Sequence, residues 1–281
     1  MSRLPLKRSA LTVPVTVSVV LPTMNEAKNV EGLCQKLCSL KQSYAQFIEA
    51  IFVLNNTTNG TDRILEDLSK QPGYEFLRAA YSEGARGSAI RRGVEMAQGN
   101  LVVVMDSDGQ YDPREIPKLV RAIANEGYYV AIGRDRGSES FSRRFISEVF
   151  KKLTKTLLGL EYVQTGFKAG VRKVLLDTIP EGVSGLDIDV RWMNNVVRKG
   201  YGNKFSGDVE VRLYPRLHGK TTFNPLKLSL GLLYTTLSLA LQRKTGRELP
   251  FPRVLKELTL QPEGVLRMAR RQICTDNHGC P

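Results

Sequence analysis

Asp106, Asp108, Gln110 and Asp112 alternate in the stretch VVVMDSDGQYDP, residues 102–113, straight after an unbroken apolar run. Carboxylates two residues apart at the end of a strand can converge on one hard cation. Mg2+ or Mn2+ takes a few oxygens from the protein and shares the phosphate oxygens of a substrate. Acidic turns also cap helices, and Asp112 precedes Pro113 and Glu115 in the manner of a helix start, so spacing alone leaves both readings open.

Such a group needs a rigid strand beneath it. Apolar, β-branched runs recur at residues 15–22, 50–55, 101–106 and 128–134, with a further candidate strand at 74–79. Helical stretches separate them, signposted by Asn25-Glu26 before 27–41, Thr61-Asp62 before 62–70 and Asp112-Pro113 before 113–126. Runs that read as buried on both faces, joined by connections long enough for crossover helices, predict an α/β fold with a mostly parallel sheet flanked by helices. Ligands of such sheets sit beyond the carboxyl ends of the strands, which is where residues 106–110 fall. After residue 135 a polar Gly/Ser loop leads into a helix ending near 158, and residues 160–222 mix short strands with one helix around 187–199.

The chain has 281 residues, 42% hydrophobic, which suits one large α/β domain or one domain with an appendage. Its 41 Lys and Arg against 28 Asp and Glu give a net charge of +13, so an anionic partner is expected. Neither a Cys/His finger spacing nor an aromatic-basic motif is present, and nucleic acid is not expected to be that partner. The cysteines, Cys34, Cys38, Cys274 and Cys280, suit a reduced, cytoplasmic chain. Arg3, Lys7 and Arg8 precede ALTVPVTVSVVLP, whose alternation reads as a first strand rather than a signal peptide.

Near the other end, residues 228–241 carry no charge, yet the run is shorter than the roughly 18–20 residues that cross a bilayer. Leu226, Leu230, Leu233, Leu237 and Leu241 form one helical stripe, with Lys227, Arg243, Lys244 and Arg247 at its ends. An amphipathic helix of this kind lies in a membrane interface, or packs on the domain or on a second subunit.

Two further segments, LPTMNEAKNV (21–30) and ARGSAIRRGVEMAQGN (85–100), join the acidic motif in a recognisable order. Together they resemble the inverting nucleotide-sugar glycosyltransferases of the GT-A fold, most closely the polyprenyl-phosphate branch typified by dolichol-phosphate mannose synthase. Matches continue with GRD (133–135), SRRFIS (142–147), QTGFKAGVRKVL (164–175), LDIDV (186–190) and YPRLHGKTTF (214–223). The resemblance covers residues 15–223, which implies a catalytic domain over 1–223 and an interface helix with a tail over 224–281.

By this resemblance Asp106, Asp108 and Gln110 hold Mg2+ or Mn2+ and the donor diphosphate, while Pro22, Thr23, Asn25 and Glu26 line the nucleotide. Asn55 falls at the position that contacts the base, and Arg86 stands where a lysine is usual. Arg134, Arg143 and Ser147 match groups that grip an acceptor phosphate, and Arg216 and Lys220 match a basic loop that closes over the phosphates. The implied partners are a nucleoside diphosphate sugar (GDP-mannose or UDP-glucose), a polyprenyl phosphate and a membrane surface, with self-association left open. The implied location is cytoplasmic and peripheral to the membrane.

The acceptor decides what else is needed. A phosphate monoester is already an anion near neutral pH and attacks the anomeric carbon directly, whereas a hydroxyl needs a base. Asp187 and Asp189 are the available carboxylates for that second case, although each equally suits a cap on the helix that follows. Asn55 and Asn59 replace the aspartates usual after the second strand, which leaves the base preference open. It also admits a third reading, a nucleotide-sugar-binding subunit without catalysis.

Overall fold

The computed structural model describes residues 13–84, 86–136, 141–160, 166–182, 187–202, 205–219 and 225–247. Seven strands form one sheet in the order β3-β2-β1-β4-β6-β5-β7. They are β1 (Val17–Thr23), β2 (Phe47–Asn55), β3 (Leu77–Ser82), β4 (Leu101–Met105), β5 (Val130–Arg136), β6 (Phe167–Val171) and β7 (Phe205–Arg212). The expected strands all form, and the fold is the expected α/β one.

The first four strands pair in parallel. β6 runs antiparallel to both β4 and β5, and β5 pairs in parallel with β7. Because β6 is reversed between two like-directed strands, the carboxyl ends of β1, β2, β4, β5 and β7 and the amino end of β6 share one edge of the sheet. That edge carries the acidic motif.

Alternation explains why these runs are apolar throughout. Val19, Leu21, Val103 and Met105 point into one layer with α1 (Ala27–Ser43) and α4 (Ile116–Ala124). Val20, Val102 and Val104 point into the other with α3 (Arg86–Met96) and α7 (Ile188–Val196). Each such side chain contributes about 1.5–3 kcal/mol on full burial. Cys34 belongs to the first layer, where burial pushes its thiol up to about 12 and leaves it a small hydrophobe.

The amino-terminal edge is closed by a polar cluster. Buried Glu49 accepts from Ser18 Oγ at 2.7 Å, from the backbone N–H of Gln98 at 2.7 Å and from Arg78 at 2.6 Å. Ser18 Oγ accepts in turn from the N–H of Gly99 at 2.8 Å. A carboxylate this deep is tolerated because its lone pairs are taken.

The remaining helices are α2 (Thr61–Ser69), α5 (Phe141–Leu158), α6 (Arg172–Thr178) and α8 (Pro225–Thr245). The short α6 was not legible in the sequence, since it starts on the residue after β6 with no intervening loop signal. α8 packs on α5 and α7, and its orientation is unusual. Thr235, Thr236 and Ser238 are fully buried beside Leu232 and Leu239. Leu230, Leu233, Leu237 and Leu241 remain 38–48% exposed. The leucine stripe read from the sequence therefore faces outward and the small polar face inward. The side chains of Leu226 and Lys227 lie outside the described residues.

Candidate active site

Asp106 leaves β4 with its N–H bonded to the carbonyl of Gly166 at 3.0 Å. Gly109 then takes φ 79°, the left-handed conformation glycine adopts without steric cost, so that the N–H of Gln110 reaches back to Asp108 Oδ1 at 3.1 Å. This turn aims both carboxylates off the same sheet edge. Asp108 is almost fully buried, and burial, followed by the negative charge of Asp106, pushes its carboxyl above the ordinary range. Arg216 answers that charge with a 2.5 Å contact to Asp108 Oδ2.

Asp106 has its own cation. Arg86, the first residue of α3, donates from Nη2 to Asp106 Oδ1 at 2.9 Å and from Nη1 to Asp189 Oδ2 at 3.2 Å. Asp189 is also paired with the buried ammonium of Lys168 on β6. Lys168 lies within the quoted QTGFK segment, but a lysine in the middle of a short strand gives no sequence signal of burial.

Gly166 has a packing reason to be glycine. A Cβ built there would lie 1.9 Å from Asp106 Oδ2 and 3.0 Å from Tyr111 Cε2. Alanine at 166 is therefore expected to push the Asp106 carboxylate off its position. Titration calorimetry with Mn2+ and a nucleoside diphosphate should show affinity reduced about tenfold or more, on the scale of the 1–3 kcal/mol that overpacking costs. Unchanged affinity would contradict this placement.

The turn after β1 lies alongside. The carbonyl of Pro22 accepts from Ser107 Oγ at 3.0 Å, which ties β1 to the acidic turn, and Thr23 donates to the carbonyl of Leu21 at 2.8 Å. Asn25 adopts φ 58°, and its Oδ1 accepts from the N–H of Thr58 at 2.8 Å, joining the turns after β1 and β2. Glu26 caps α1 by position and takes a 2.6 Å hydrogen bond from Asn29. Burial raises its carboxyl, against the Asn29 bond and Arg216 and with the help of Asp108 and Asp106, so the same field reaches it.

Asn55 ends β2 and is 3% exposed; its Oδ1 has no hydrogen-bond partner among the described residues, and neither has buried Thr57 Oγ1. A buried acceptor left without a donor costs about 1–3 kcal/mol, which a ligand N–H would remove. Asn59 does something different. Its Oδ1 accepts from Thr61 Oγ1 at 2.6 Å and from the Thr61 N–H at 3.3 Å, opening α2.

The segment 213–219 closes over the motif from the other side. Gln110 Nε2 donates to the carbonyl of Tyr214 at 3.2 Å, Tyr214 N–H donates to the carbonyl of Gln110 at 2.8 Å, and Asn29 reaches the carbonyl of His218 at 3.3 Å. Arg134, at the carboxyl end of β5, pairs with Glu210 of β7 at 3.0 Å and is partly exposed. Arg143 and Ser147 fall on α5, but their side chains, like Lys220, lie outside the described residues. Asp187 stands before α7, as the cap reading anticipated; its side chain bonds Arg191 at 2.6 Å and Thr235 of α8 at 3.4 Å instead of the helix N–H groups.

A mostly parallel α/β sheet with an Asp-x-Asp-x-Gln turn at its carboxyl edge is a GT-A-type fold. The model for glycosyl transferase family 2 matches residues 18–179, and the chain belongs to that family. It is 30% identical to the dolichol-phosphate mannosyltransferase of Pyrococcus furiosus over 75% of this chain and 62% of that protein. It is 28% identical to the undecaprenyl-phosphate 4-deoxy-4-formamido-L-arabinose transferase of Aeromonas hydrophila, over 53% of this chain and 46% of that one. The chain thus spans about half to two thirds of the length of these curated relatives. Among solved structures, glucosyl-3-phosphoglycerate synthase from Mycobacterium tuberculosis, in complex with Mn2+, UDP and glucosyl-3-phosphoglycerate, superposes with a TM-score of 0.62. Its identity is 21%, with 80% of each chain covered.

Proposed function

We propose that this chain transfers a hexose from a nucleoside diphosphate sugar to a polyprenyl phosphate at the cytosolic face of a membrane, with inversion at the anomeric carbon. The observation that carries the reading is the pair Asp106 and Asp108 held side by side at the sheet edge, each against its own arginine. Two carboxylates side by side, with Gln110 beside them, fit a divalent cation, and the shell would draw on Gln110 and on donor oxygens, since the described residues hold no group of three or more His, Cys, Asp or Glu side chains placed to bind a metal ion. Asp106, Asp108 and Gln110 would hold Mg2+ or Mn2+, with donor oxygens completing the shell. When bound, that ion would neutralise charge building on the departing diphosphate.

The chain's own groups supply the rest. Arg216 and Arg86 are preorganised donors beside the place where that charge develops. Segment 213–219, which carries Arg216, is tied to the acidic turn by the two Gln110–Tyr214 hydrogen bonds. Asn55 presents its unpartnered oxygen to a base N–H, an arrangement open to uracil and guanine alike. Arg134, with Arg143 and Ser147, is assigned to the acceptor phosphate. The Asp189 carboxylate is engaged by Arg86 and Lys168 instead of standing free beside an acceptor hydroxyl, which supports an acceptor that is already an anion over one that needs a base.

The relatives named for dolichol and undecaprenyl phosphate support a lipid acceptor. So does the outward leucine stripe of α8, with Arg243, Lys244 and Arg247 at its end. No helix among the described residues is long and apolar enough to cross a membrane, so the contact proposed is with its surface. The test is turnover. Purified chain with Mn2+ or Mg2+, GDP-mannose or UDP-glucose, and vesicles containing polyprenyl phosphate should release nucleoside diphosphate and label the lipid. Chelation with EDTA should stop both. No lipid labelling with any common donor would overturn the proposal.

A further inference from the structure

Lys168 is the one large charged side chain among the most completely buried of the described residues, at 1% exposure in the middle of β6. It pairs with Val104 of β4 and Ile132 of β5 in register, so apolar strands flank it on both sides. Its ammonium contacts Asp189 Oδ1 and lies 5.7 Å from the ring centre of Trp192. Trp192 is itself fixed, with its indole N–H donating to Thr178 Oγ1 at 3.0 Å. Burying an ammonium is costly, and an apolar residue of similar volume would usually serve stability as well or better. A reason beyond packing is therefore required.

The charges alternate along a chain that leads out of the core. Lys168 meets Asp189, Asp189 meets Arg86 at 3.2 Å, and Arg86 meets Asp106 at 2.9 Å. Arg86 is 14% exposed at the side chain, and Asp106 is 34% exposed. Thus the last member faces the site and the first does not. Asp189 is 9% exposed; its Oδ1 meets Lys168 and, at 3.4 Å, Arg86 Nη1, which also donates to Oδ2 at 3.2 Å. Lys168 holds the Asp189 carboxylate in place from the core side, and Asp189 in turn anchors Arg86 Nη1 while Nη2 reaches Asp106.

We propose that Lys168 is a positioning residue. It satisfies Asp189 from the core side, so that the guanidinium of Arg86 stays extended to Asp106 and to the phosphates of the donor. Asp189 is then the link in this chain and takes no proton from the acceptor. The inference rests on the donor-site reading above and adds to it a group that never touches substrate.

The test compares wild type with Lys168→Met and with the double variant Lys168→Met/Asp189→Leu, whose buried site is neutral. Affinity for Mn2+ with UDP or GDP is measured by calorimetry, and folding by thermal denaturation. Trp192 is the single tryptophan of the chain, so its fluorescence reports loss of the nearby ammonium directly. Lys168→Met should weaken nucleotide affinity about tenfold and lower Tm, because a buried carboxylate loses a partner. The double variant should recover Tm while affinity stays at least tenfold weak, since Arg86 still lacks its support. A purely structural lysine would give recovery of both in the double variant, and that result overturns the inference. So does unchanged affinity in the single variant. The double variant decides alone if the single one does not fold. Absence of nucleotide binding by wild type is a different failure, which removes the donor-site reading itself and this inference with it.

Discussion

Asp108→Asn is expected to lower sugar transfer by about 10²–10³-fold, the scale on which loss of one preorganised electrostatic contact to a transition state is felt. Asparagine keeps the shape and the acceptor oxygen that takes the Gln110 N–H, so the turn should survive. What disappears is one of two negative charges. That charge is poorly tolerated in the unliganded protein, where burial and then Asp106 both raise the Asp108 carboxyl. Arg216 loses its ion partner but is 28% exposed and can be hydrated. Melting temperature should therefore not fall, even though activity does. Loss of activity without loss of stability marks a group kept for chemistry at some expense of folding. Transfer by the variant within tenfold of wild type, measured under saturating Mn2+, would refute the assignment of Asp108 to the ion.

Charging the outward face of α8 is the second large effect. In Leu233→Glu/Leu237→Glu, two side chains that are 38% and 48% exposed become acidic. A half-exposed leucine gains about 1 kcal/mol on entering an apolar phase, and the new anions are repelled by acidic headgroups. Binding to vesicles containing phosphatidylglycerol should drop about 10²-fold in sedimentation, at about 1.4 kcal/mol per tenfold. Transfer to a short, water-soluble polyprenyl phosphate should persist, because neither side chain is part of the site. Vesicle binding unchanged, with a dimer converted to monomer instead, would assign the leucines to a second copy of the chain.

The sequence exposed whatever depends on local pattern. Two-sided apolar runs announced β1, β2 and β4, and the Asn25-Glu26 and Asp112-Pro113 signals placed the starts of the first helix and of the turn leading into α4. Asp106 and Asp108 were legible because acidic residues directly after such a run have few structural reasons to be there. The reversed direction of β6 was not legible, since a five-residue strand carries no record of its neighbours. Lys168 was hidden for the same reason: only the sheet shows that its side chain turns inward toward Asp189. The sequence also identified the leucine stripe of α8 but not its facing, because Thr235 and Ser238 become an inner surface only once α5 and α7 are in place.

The bond from Thr235 to Asp187 has a mechanical meaning. Asp187 lies two residues before Asp189, so α8 is latched to the segment that carries the middle link of the charge chain. A bilayer resting on the outer leucines would thus be held at a fixed height relative to the catalytic edge. The distance from the outer leucines to the acidic edge is then a dimension of the scaffold, set when the polypeptide folds.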